Sequence, residues 1–263
     1  MPASSFSPDF VSRTVSALRA AGCVFAEEEA ALILAAARTP AEAAAMVDRR
    51  TAGLPLEHVL GRAEFHGLSV AVDAGVFVPR RRTEFLVDQA LARSPRARVV
   101  VDLCCGSGAV GAALAAALGR VDLHCADIDP AAVRCARRNV AEYGGLVHAG
   151  DLFEALPAGL CGRVDLLAAN VPYVPTGEVP LLPAEARDHE PTVALDGGPD
   201  GLDVLRRVAA AAPRWLAPGG RVLVETSERQ APGAAEVFST AGLNAELAVS
   251  AELHATVVVG TRR

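Results

Sequence analysis

The sequence predicts an α/β protein in which helices cover a mainly parallel sheet, with a small helical domain in front of it. From Arg98 onward, short apolar segments alternate with helical segments, a pattern typical of a parallel sheet covered on both faces. A glycine-rich loop follows the first of these apolar segments, as in nucleotide-binding sheets. A length of 263 residues allows one large domain and a small one.

The N-terminal part is expected to consist of short helices. Ser7-Pro8 and Thr39-Pro40 each place a capping residue before a proline, and Glu42 completes a capping-box pattern. From Glu64 the pattern changes to aromatic and β-branched residues around Asp73-Ala74-Gly75, which resembles a hairpin turn. We therefore divide the chain into a helical substrate-docking domain, a β-hairpin linker and the sheet domain, with these bounds: 1–62, 63–80 and 81–263.

The sheet domain supplies its strands and helices in alternation. Apolar strand segments are RVVVDL (98–103), VDLHCAD (121–127), LVHA (146–149), VDLLAAN (164–170) and GRVLVET (220–226). Helices are predicted over 109–118 and 129–143, the second beginning at Asp129-Pro130 and ending at Gly144-Gly145. The two apolar segments of the tail, 243–249 and 255–260, are expected to close the sheet as an antiparallel pair.

Composition excludes several classes of function. The net charge is -6 and the pI about 5.6, so strong direct binding to nucleic acid is not expected. All 25 basic residues are arginine, which excludes a Schiff-base lysine and the lysine of a P-loop. The start of the chain lacks the apolar core of a signal peptide, and no apolar run approaches the ~20 residues of a membrane span. We expect a soluble, cytoplasmic protein.

The cysteines and histidines do not predict a metal site. The six cysteines contain no C-x-x-C pair, and without a secretory signal they should stay reduced. His124 and Cys125 are adjacent and could both bind zinc, but a cysteine that is simply a small buried residue is far commoner than a zinc ligand. No metal is therefore expected.

The glycine-rich loop has two interpretations. Gly106, Gly108 and Gly111 form a G-x-G-x-x-G pattern, and Asp127 ends the next strand, as in dinucleotide-binding folds. The same arrangement serves S-adenosylmethionine, whose ribose hydroxyls can donate to a carboxylate. Asp102 ahead of the loop and the string ADIDP are more typical of methyltransferases, whereas an NAD-dependent dehydrogenase is supported by the loop and Asp127 alone.

The string NVPY, after the fourth strand, suggests what the site acts on. An amide nitrogen is a poor nucleophile because its lone pair is delocalised, so it must be positioned rather than deprotonated. The Asn170 carboxamide and the Val171 carbonyl can each accept a hydrogen from a planar NH2 group. Pro172 would fix the backbone, and Tyr173 would supply a wall. An asparagine that merely turns the chain before a proline is the alternative.

By these residues and the motifs that follow, the chain resembles the protein-glutamine methyltransferases of the HemK/PrmC type from about residue 56 to residue 230. FVPRRRTEFLV is similar to the family's linker, with Pro79, Arg80, Thr83 and Glu84 matching its P-R-x-x-T-E string. Further similar blocks are PLEHVLGRAEFHGLSVAV, DLCCGSGAVG, ADIDPAAVRCARRN, GDLFEAL, HEPTVALDGGPDGL and LAPGGRVLVETSERQ.

The resemblance implies a class I S-adenosylmethionine-dependent methyltransferase (Rossmann-like) fold, S-adenosyl-L-methionine as cofactor and a glutamine side chain as acceptor. The protein substrate it implies is a peptide-chain release factor. Residues implied to bind the cofactor are Cys104, Cys105, Gly106, Ser107, Gly108, Asp127, Leu152 and Asn170. Residues implied to hold the substrate are Arg80, Glu84, Asn170, Val171, Pro172 and Tyr173, with Asn170 and Tyr173 as the catalytic pair.

The sequence departs from the family pattern at several positions. Val171 stands where the usual N-P-P-Y motif has a proline, although its carbonyl is retained. Arg81 and Arg82 replace residues that are more often proline and an acidic or polar group. Methylation of a nucleic-acid base amine or a small molecule, and a cofactor-binding paralogue without activity, are therefore kept as alternatives.

Overall fold

The computed structural model describes residues 6–263, so residues 1–5 of the predicted N-terminal domain lie outside the described residues. Four helices begin the chain: α1 (Pro8–Ala20), α2 (Ala26–Ala36), α3 (Pro40–Thr51) and α4 (Leu56–Leu60). The Ser7 hydroxyl accepts a hydrogen bond from the Phe10 amide, and the Thr39 hydroxyl accepts one from the Glu42 amide. The Glu42 carboxylate reaches the Arg38 amide, one residue before the capping box would place it.

A two-stranded hairpin follows, β1 (Arg62–Phe65) and β2 (Leu68–Ala71). Its turn is His66–Gly67, with φ angles of 48° and 76°, so the expectation of a hairpin turn at Asp73–Gly75 is wrong. Two residues at positive φ suit the twist of paired strands, and glycine supplies one of them. At Asp73, the chain makes a separate turn after β2, in which the Val76 amide donates to the Asp73 carbonyl.

The remaining elements alternate as the sequence predicts. They are α5 (Glu84–Arg93), β3 (Val99–Leu103), α6 (Ala109–Leu118), β4 (Asp122–Asp127), α7 (Pro130–Val140), β5 (Leu146–Ala149), β6 (Val164–Ala169), α8 (Ala184–His189), α9 (Asp203–Trp215), β7 (Leu216–Thr226), α10 (Ala231–Thr240), β8 (Leu243–Ser250) and β9 (Ala255–Arg262).

The large sheet has seven strands in the order β5-β4-β3-β6-β7-β9-β8. β5, β4, β3, β6 and β7 are parallel, while β9 pairs antiparallel with both β7 and β8. The predicted parallel sheet and its antiparallel closing pair are confirmed. The order reverses at β3, and open α/β sheets bind ligands outside the carboxyl ends of the strands at such a point.

Helices cover both faces of this sheet. Side chains of α5, α6 and α7 pack on one face and those of α9 and α10 on the other. Alternate residues of β3 divide between the two layers, Val100 entering the first core and Val101 the second. The four N-terminal helices have a separate apolar core that includes Leu18 and Ile33. Among residues 6–263, no helix has the length and apolarity to cross a membrane.

Buried polar contacts join the N-terminal helices to the rest of the chain. Arg50, at the end of α3, donates from Nε and Nη2 to the Glu29 carboxylate in α2. Its Nη1 donates to Glu185 Oε1 in α8 over 2.6 Å. The buried His58 ring donates from Nε2 to the Val76 carbonyl over 2.8 Å. The helices therefore contact the segment that leads from β6 to α9.

Candidate active site

A cleft opens at the carboxyl ends of β3 and β4, beside the glycine-rich loop, and we name it the loop cleft. It has about 1070 Å³ of empty space including its mouth, enough for a nucleoside-sized ligand. Its polar lining residues include Thr83, Asp102, Ser107, Asp127, Asp129, Asp151, Asn170 and Arg207.

Most of the residues implied to bind the cofactor line this cleft. They are Cys104, Cys105, Gly106, Ser107, Asp127, Leu152 and Asn170. Gly108 is not among the lining residues. It has a φ of 78°, and a Cβ there would lie 3.0 Å from the Ala136 Cβ, so the position requires glycine for helix packing. Gly108 therefore lets the loop pack closely against Ala136 of α7 and does not itself line the cleft.

Asp127 ends β4 with its carboxylate facing the glycine-rich loop. Its Oδ2 accepts from the Gly106 amide over 2.8 Å, and its Oδ1 accepts from the Asp129 amide over 2.9 Å. Each oxygen keeps a second lone pair, and the side chain lines the cleft. Burial raises the pKa of Asp127 above its usual value, while the two amides oppose that shift. This carboxylate can accept hydrogen bonds from a diol.

Asp102 lies beneath the same loop and is 1% exposed. Its Oδ2 accepts from the Gly111 amide at the start of α6 over 2.8 Å. A Cβ on Gly111 would lie 2.8 Å from the Cys125 sulfur, so glycine lets the helix approach this closely. Burial, with the nearby Asp127 charge, raises the pKa of Asp102 to about 7. Asp102 therefore holds the loop onto the helix.

Two residues of the loop cleft other than glycine have positive φ. Cys104 has a φ of 54° and Leu152 one of 47°, a region that bulky L-residues seldom adopt. Both follow the ends of strands and line the cleft. Strain of this kind persists where the surrounding structure holds it, often at ligand sites.

A second cleft adjoins the first, and we name it the tyrosine cleft because Tyr173 lines it. Val171, Arg80, Arg82 and Glu185 also line it. The residues common to both clefts are Phe77, Asn170 and Ala194. The two spaces therefore meet beside the Asn170 carboxamide.

Two oxygens at this junction have no protein donor. Within residues 6–263, no group hydrogen-bonds the Asn170 side chain, and none donates to the Val171 carbonyl. The Asn170 side chain is partly exposed, whereas Val171 is 1% exposed. Polar groups in a cleft that lack a partner can bind a ligand. Both predicted acceptors are therefore without a donor in the described part of the chain, and Pro172 lines the loop cleft.

The segment from 195 to 201 holds the NVPY backbone, a role that the sequence analysis did not assign. The Val174 amide donates to the Leu195 carbonyl, and the Gly197 amide donates to the Val174 carbonyl. Gln230 Nε2 donates to the Tyr173 carbonyl over 2.9 Å. A Cβ on Gly197 would lie 2.6 Å from the Pro172 carbonyl oxygen. The glycine cluster DGGPDG was the sequence signal for this close approach.

Of the two linker residues predicted to hold the substrate, Arg80 lines a cleft and Glu84 does not. Arg80 lines the tyrosine cleft, and its Nη2 donates to the buried Glu190 over 2.6 Å. Glu84 lines neither cleft; its Oε1 accepts from the His66 amide over 3.1 Å. Glu190 Oε1 also accepts from the Val78 amide. Through these two contacts, Glu190 fixes the linker segment that contains Val78 and Arg80.

Tyr173 is held by two charged side chains. Its hydroxyl donates to Glu225 Oε1 over 3.1 Å and accepts from Arg82 Nη2 over 2.5 Å. Burial, together with the Glu225 charge, raises the pKa of Tyr173 above its usual range. Tyr173 is therefore neutral at physiological pH.

The residues of the loop cleft fit S-adenosylmethionine. The Asp127 carboxylate suits ribose hydroxyls, and the apolar Ile128 and Leu152 suit an adenine ring. Each Asp127 oxygen has a second lone pair beyond the bond that it accepts, and the residue lines a cleft of nucleoside size.

Comparisons with known proteins identify relatives of this chain. Residues 67–180 match the family described as methyltransferase small domain. The release factor glutamine methyltransferase of Geobacter sulfurreducens is 41% identical over 199 residues, which cover 75% of this chain and 69% of that protein. The same-named protein of Streptomyces coelicolor is 42% identical over 189 residues, covering 70% and 67%.

Solved structures share the fold at low identity. A ribosomal protein L11 methylase from Lactobacillus delbrueckii subsp. bulgaricus has a TM-score of 0.53 and 16% identity, covering 73% of this chain and 84% of that chain. A methyltransferase from Pyrococcus furiosus has a TM-score of 0.54 and 14% identity, covering 74% and 89%. The predicted methyltransferase fold, enzyme class and cofactor are confirmed. The chain belongs to the release factor glutamine methyltransferase family.

Proposed function

We propose that the protein transfers a methyl group from S-adenosylmethionine to the side-chain amide nitrogen of a glutamine in a peptide-chain release factor. The observation that carries this proposal is a pair of oxygens for which residues 6–263 provide no hydrogen-bond donor: Asn170 Oδ1, of a residue that lines both clefts, and the carbonyl of Val171, which lines the tyrosine cleft. The names of the relatives support the choice of release factor as acceptor.

The loop cleft binds the methyl donor. When bound, S-adenosylmethionine supplies an electrophilic methyl group on a sulfonium sulfur. Asp127 would accept from the ribose hydroxyls, and Leu152 would pack against the adenine. The backbone of residues 104–107 would lie along the donor, and Asp102 keeps that loop in position through the Gly111 amide. The high pKa values of the Cys104 and Cys105 thiols, raised mainly by burial and by hydrogen bonding to Cys125 respectively, keep both thiols protonated.

The tyrosine cleft binds the acceptor amide. Asn170 Oδ1 and the Val171 carbonyl each accept one hydrogen of the NH2 group, so its nitrogen faces the loop cleft. The nitrogen forms a bond to the methyl carbon as the carbon–sulfur bond breaks. One hydrogen of the former NH2 group then leaves as a proton to water. No side chain is needed as a base, because the nitrogen loses its proton readily once it is methylated.

The proposed function also assigns a role to each predicted domain. We propose that the N-terminal helices dock the release factor, with residues 1–62 as the docking domain and 81–263 as the methyltransferase domain. Arg80 and Pro172 would border the acceptor, and Glu84 would act through His66 of the linker hairpin. A cytoplasmic location stays a prediction, as does the expected lack of strong nucleic-acid binding.

Replacing Asn170 tests the proposal. Asn170→Ala removes one of the two acceptors, so we expect single-turnover methylation of a release factor to slow by about 10²- to 10³-fold. Affinity for S-adenosylmethionine, measured by calorimetry, should change far less. Val171→Pro keeps the carbonyl and should retain activity. Asn244→Ala, on the exposed face of β8, is the matched control and should behave like wild type.

The position of the label separates the possible failures. Mass spectrometry should find the methyl group on a glutamine side chain of the release factor. If Asn170→Ala transfers methyl at the wild-type rate, the role of Asn170 is wrong. Label on a different protein would refute the release factor alone, and label on nucleic acid would refute the acceptor class.

A further inference from the structure

The arginine run PRRRTE contains one residue whose contacts differ from those of its neighbours. Arg82 donates from Nε to Glu225 Oε1 over 3.1 Å and from Nη2 to the Tyr173 hydroxyl over 2.5 Å. Its guanidinium carbon also lies 5.8 Å from the centre of the Tyr173 ring. Arg81 is exposed and forms no side-chain hydrogen bond or ion pair within residues 6–263.

The partner of Arg82 is a buried carboxylate. Glu225 lies near the end of β7 and is 2% exposed. Its Oε1 accepts from both Arg82 and Tyr173, whereas Oε2 has no hydrogen-bond partner among the described residues. A carboxylate taken out of water needs a nearby cation. Arg82 supplies the one ion pair that Glu225 forms in the described part of the chain.

These contacts converge on one wall of the tyrosine cleft. Tyr173 and Arg82 both line it, and Tyr173 is three residues from Asn170. A ring held at its hydroxyl by two groups, one on β7 and one in the turn before α5, cannot swing freely about its side-chain torsions. The width of the cleft beside Asn170 is therefore set in part by Arg82 and Glu225.

We propose that Arg82 is a positioning residue for the acceptor, which acts through Tyr173 and is itself anchored by Glu225. This inference rests on the proposed function, since it assigns the tyrosine cleft to the acceptor.

The test compares variants with methylation of a release factor as the readout. Arg82→Gln and Tyr173→Phe should each raise the KM for the acceptor about tenfold, because each frees the ring from Arg82. The dissociation constant for S-adenosylmethionine should stay within about twofold. The double variant of these two changes should be no worse than the more affected single variant, since both disrupt one contact. Arg81→Gln is the control and should keep the wild-type KM.

A second double variant separates positioning from burial of charge. Arg82→Gln alone leaves Glu225 buried without its cation and should lower the unfolding temperature. Arg82→Gln combined with Glu225→Gln removes both charges, so the unfolding temperature should recover while the acceptor KM stays raised. If the acceptor KM of this double variant returned to the wild-type value along with the unfolding temperature, the proposal would be overturned. The Arg82–Glu225 pair would then contribute to stability alone.

Two further results decide the matter. An Arg82→Gln variant with the acceptor KM of wild type would overturn the positioning role. If wild type and Arg81→Gln label a protein other than a release factor, that protein becomes the acceptor in the same comparison. The assignment of the release factor would then have failed, and the KM values for the labelled protein would still support or overturn the role of Arg82.

Discussion

At the scale of single residues, Asp102 has the least favourable environment for its charge. It is almost completely buried and accepts from the Gly111 amide. Its pKa of about 7 reflects burial first and the Asp127 charge in the same direction. In an unfolded chain an aspartate loses its proton near pH ~4. Between about pH 4 and pH 7, the folded state therefore holds a proton that the unfolded state has lost.

This difference predicts how pH affects an Asp102→Asn variant. Where the folded state binds more protons, the free energy of unfolding falls as pH rises, so the Asp102 contribution weakens from about pH 4 to pH 7. Asparagine cannot ionise and can still accept from the Gly111 amide. Relative to wild type, the variant should gain roughly 2 kcal/mol between about pH 5 and pH 8. Urea unfolding at the two pH values measures this.

The exposed Asp9→Asn is the control for that experiment. Its difference from wild type should not change by a comparable amount over the same pH range. A difference between Asp102→Asn and wild type that stays constant with pH would show that Asp102 ionises normally in the folded protein.

At the scale of elements, the NVPY loop depends on glycine where the chain after α8 crosses it. Gly201 has a φ of 77°, and a Cβ there would lie 2.3 Å from the Tyr173 carbonyl oxygen and 2.2 Å from Gln230 Nε2. Gly201→Ala should therefore displace the Tyr173 backbone. We expect a loss of about 2 kcal/mol or more in unfolding free energy and a higher acceptor KM.

Gly177→Ala is the matched control for this substitution. Gly177 lies in the turn after the same loop, has no atom near the position of a Cβ and does not have positive φ. Its unfolding free energy should stay within about 0.5 kcal/mol of wild type. Equal losses for the two variants would show that the contact with Tyr173 does not matter.

The sequence predicted the regular elements well because their signals are local. Apolar runs locate β3 to β7, and Asp129-Pro130 and Gly144 bound the helical stretch that contains α7. The hairpin turn was missed because His66 is an unusual residue at positive φ. The position of Asn170 directly after β6 was predicted from the apolar run that precedes it. Contacts between distant segments, such as Arg82 with Glu225 and Gln230 with Tyr173, leave no periodic signal in one sequence.

At the scale of the whole molecule, Arg50 connects three helices. It is 8% exposed and contacts Glu29 in α2 and Glu185 in α8, and the latter lines the tyrosine cleft. Arg50→Gln would leave the buried Glu29 without its cation. We expect a loss of about 3 kcal/mol in unfolding free energy, measured by urea denaturation. The substitution would also remove the ion pair between α3 and Glu185 of the tyrosine cleft.

Arg38→Gln is the control for Arg50→Gln. Arg38 pairs with Glu42 at the surface, with 87% of its side chain exposed, and exposed pairs contribute about 0 to 1 kcal/mol. A loss for Arg50→Gln as small as that for Arg38→Gln would mean that water reaches Glu29 and solvates it. The link across the predicted domain boundary would then contribute little to stability.

The junction of the two clefts has a stereochemical consequence. Its lining side chains are Phe77, Asn170 and Ala194, and none of these is a nucleophile that could carry a methyl group. Tyr173 and Cys104 beside it stay protonated because burial raises the pKa of each. Under the proposed function, the carbon should therefore pass from sulfur to nitrogen in one displacement, with the incoming and outgoing atoms on opposite sides. We expect a methyl group made chiral with hydrogen isotopes to reach the acceptor with its handedness inverted.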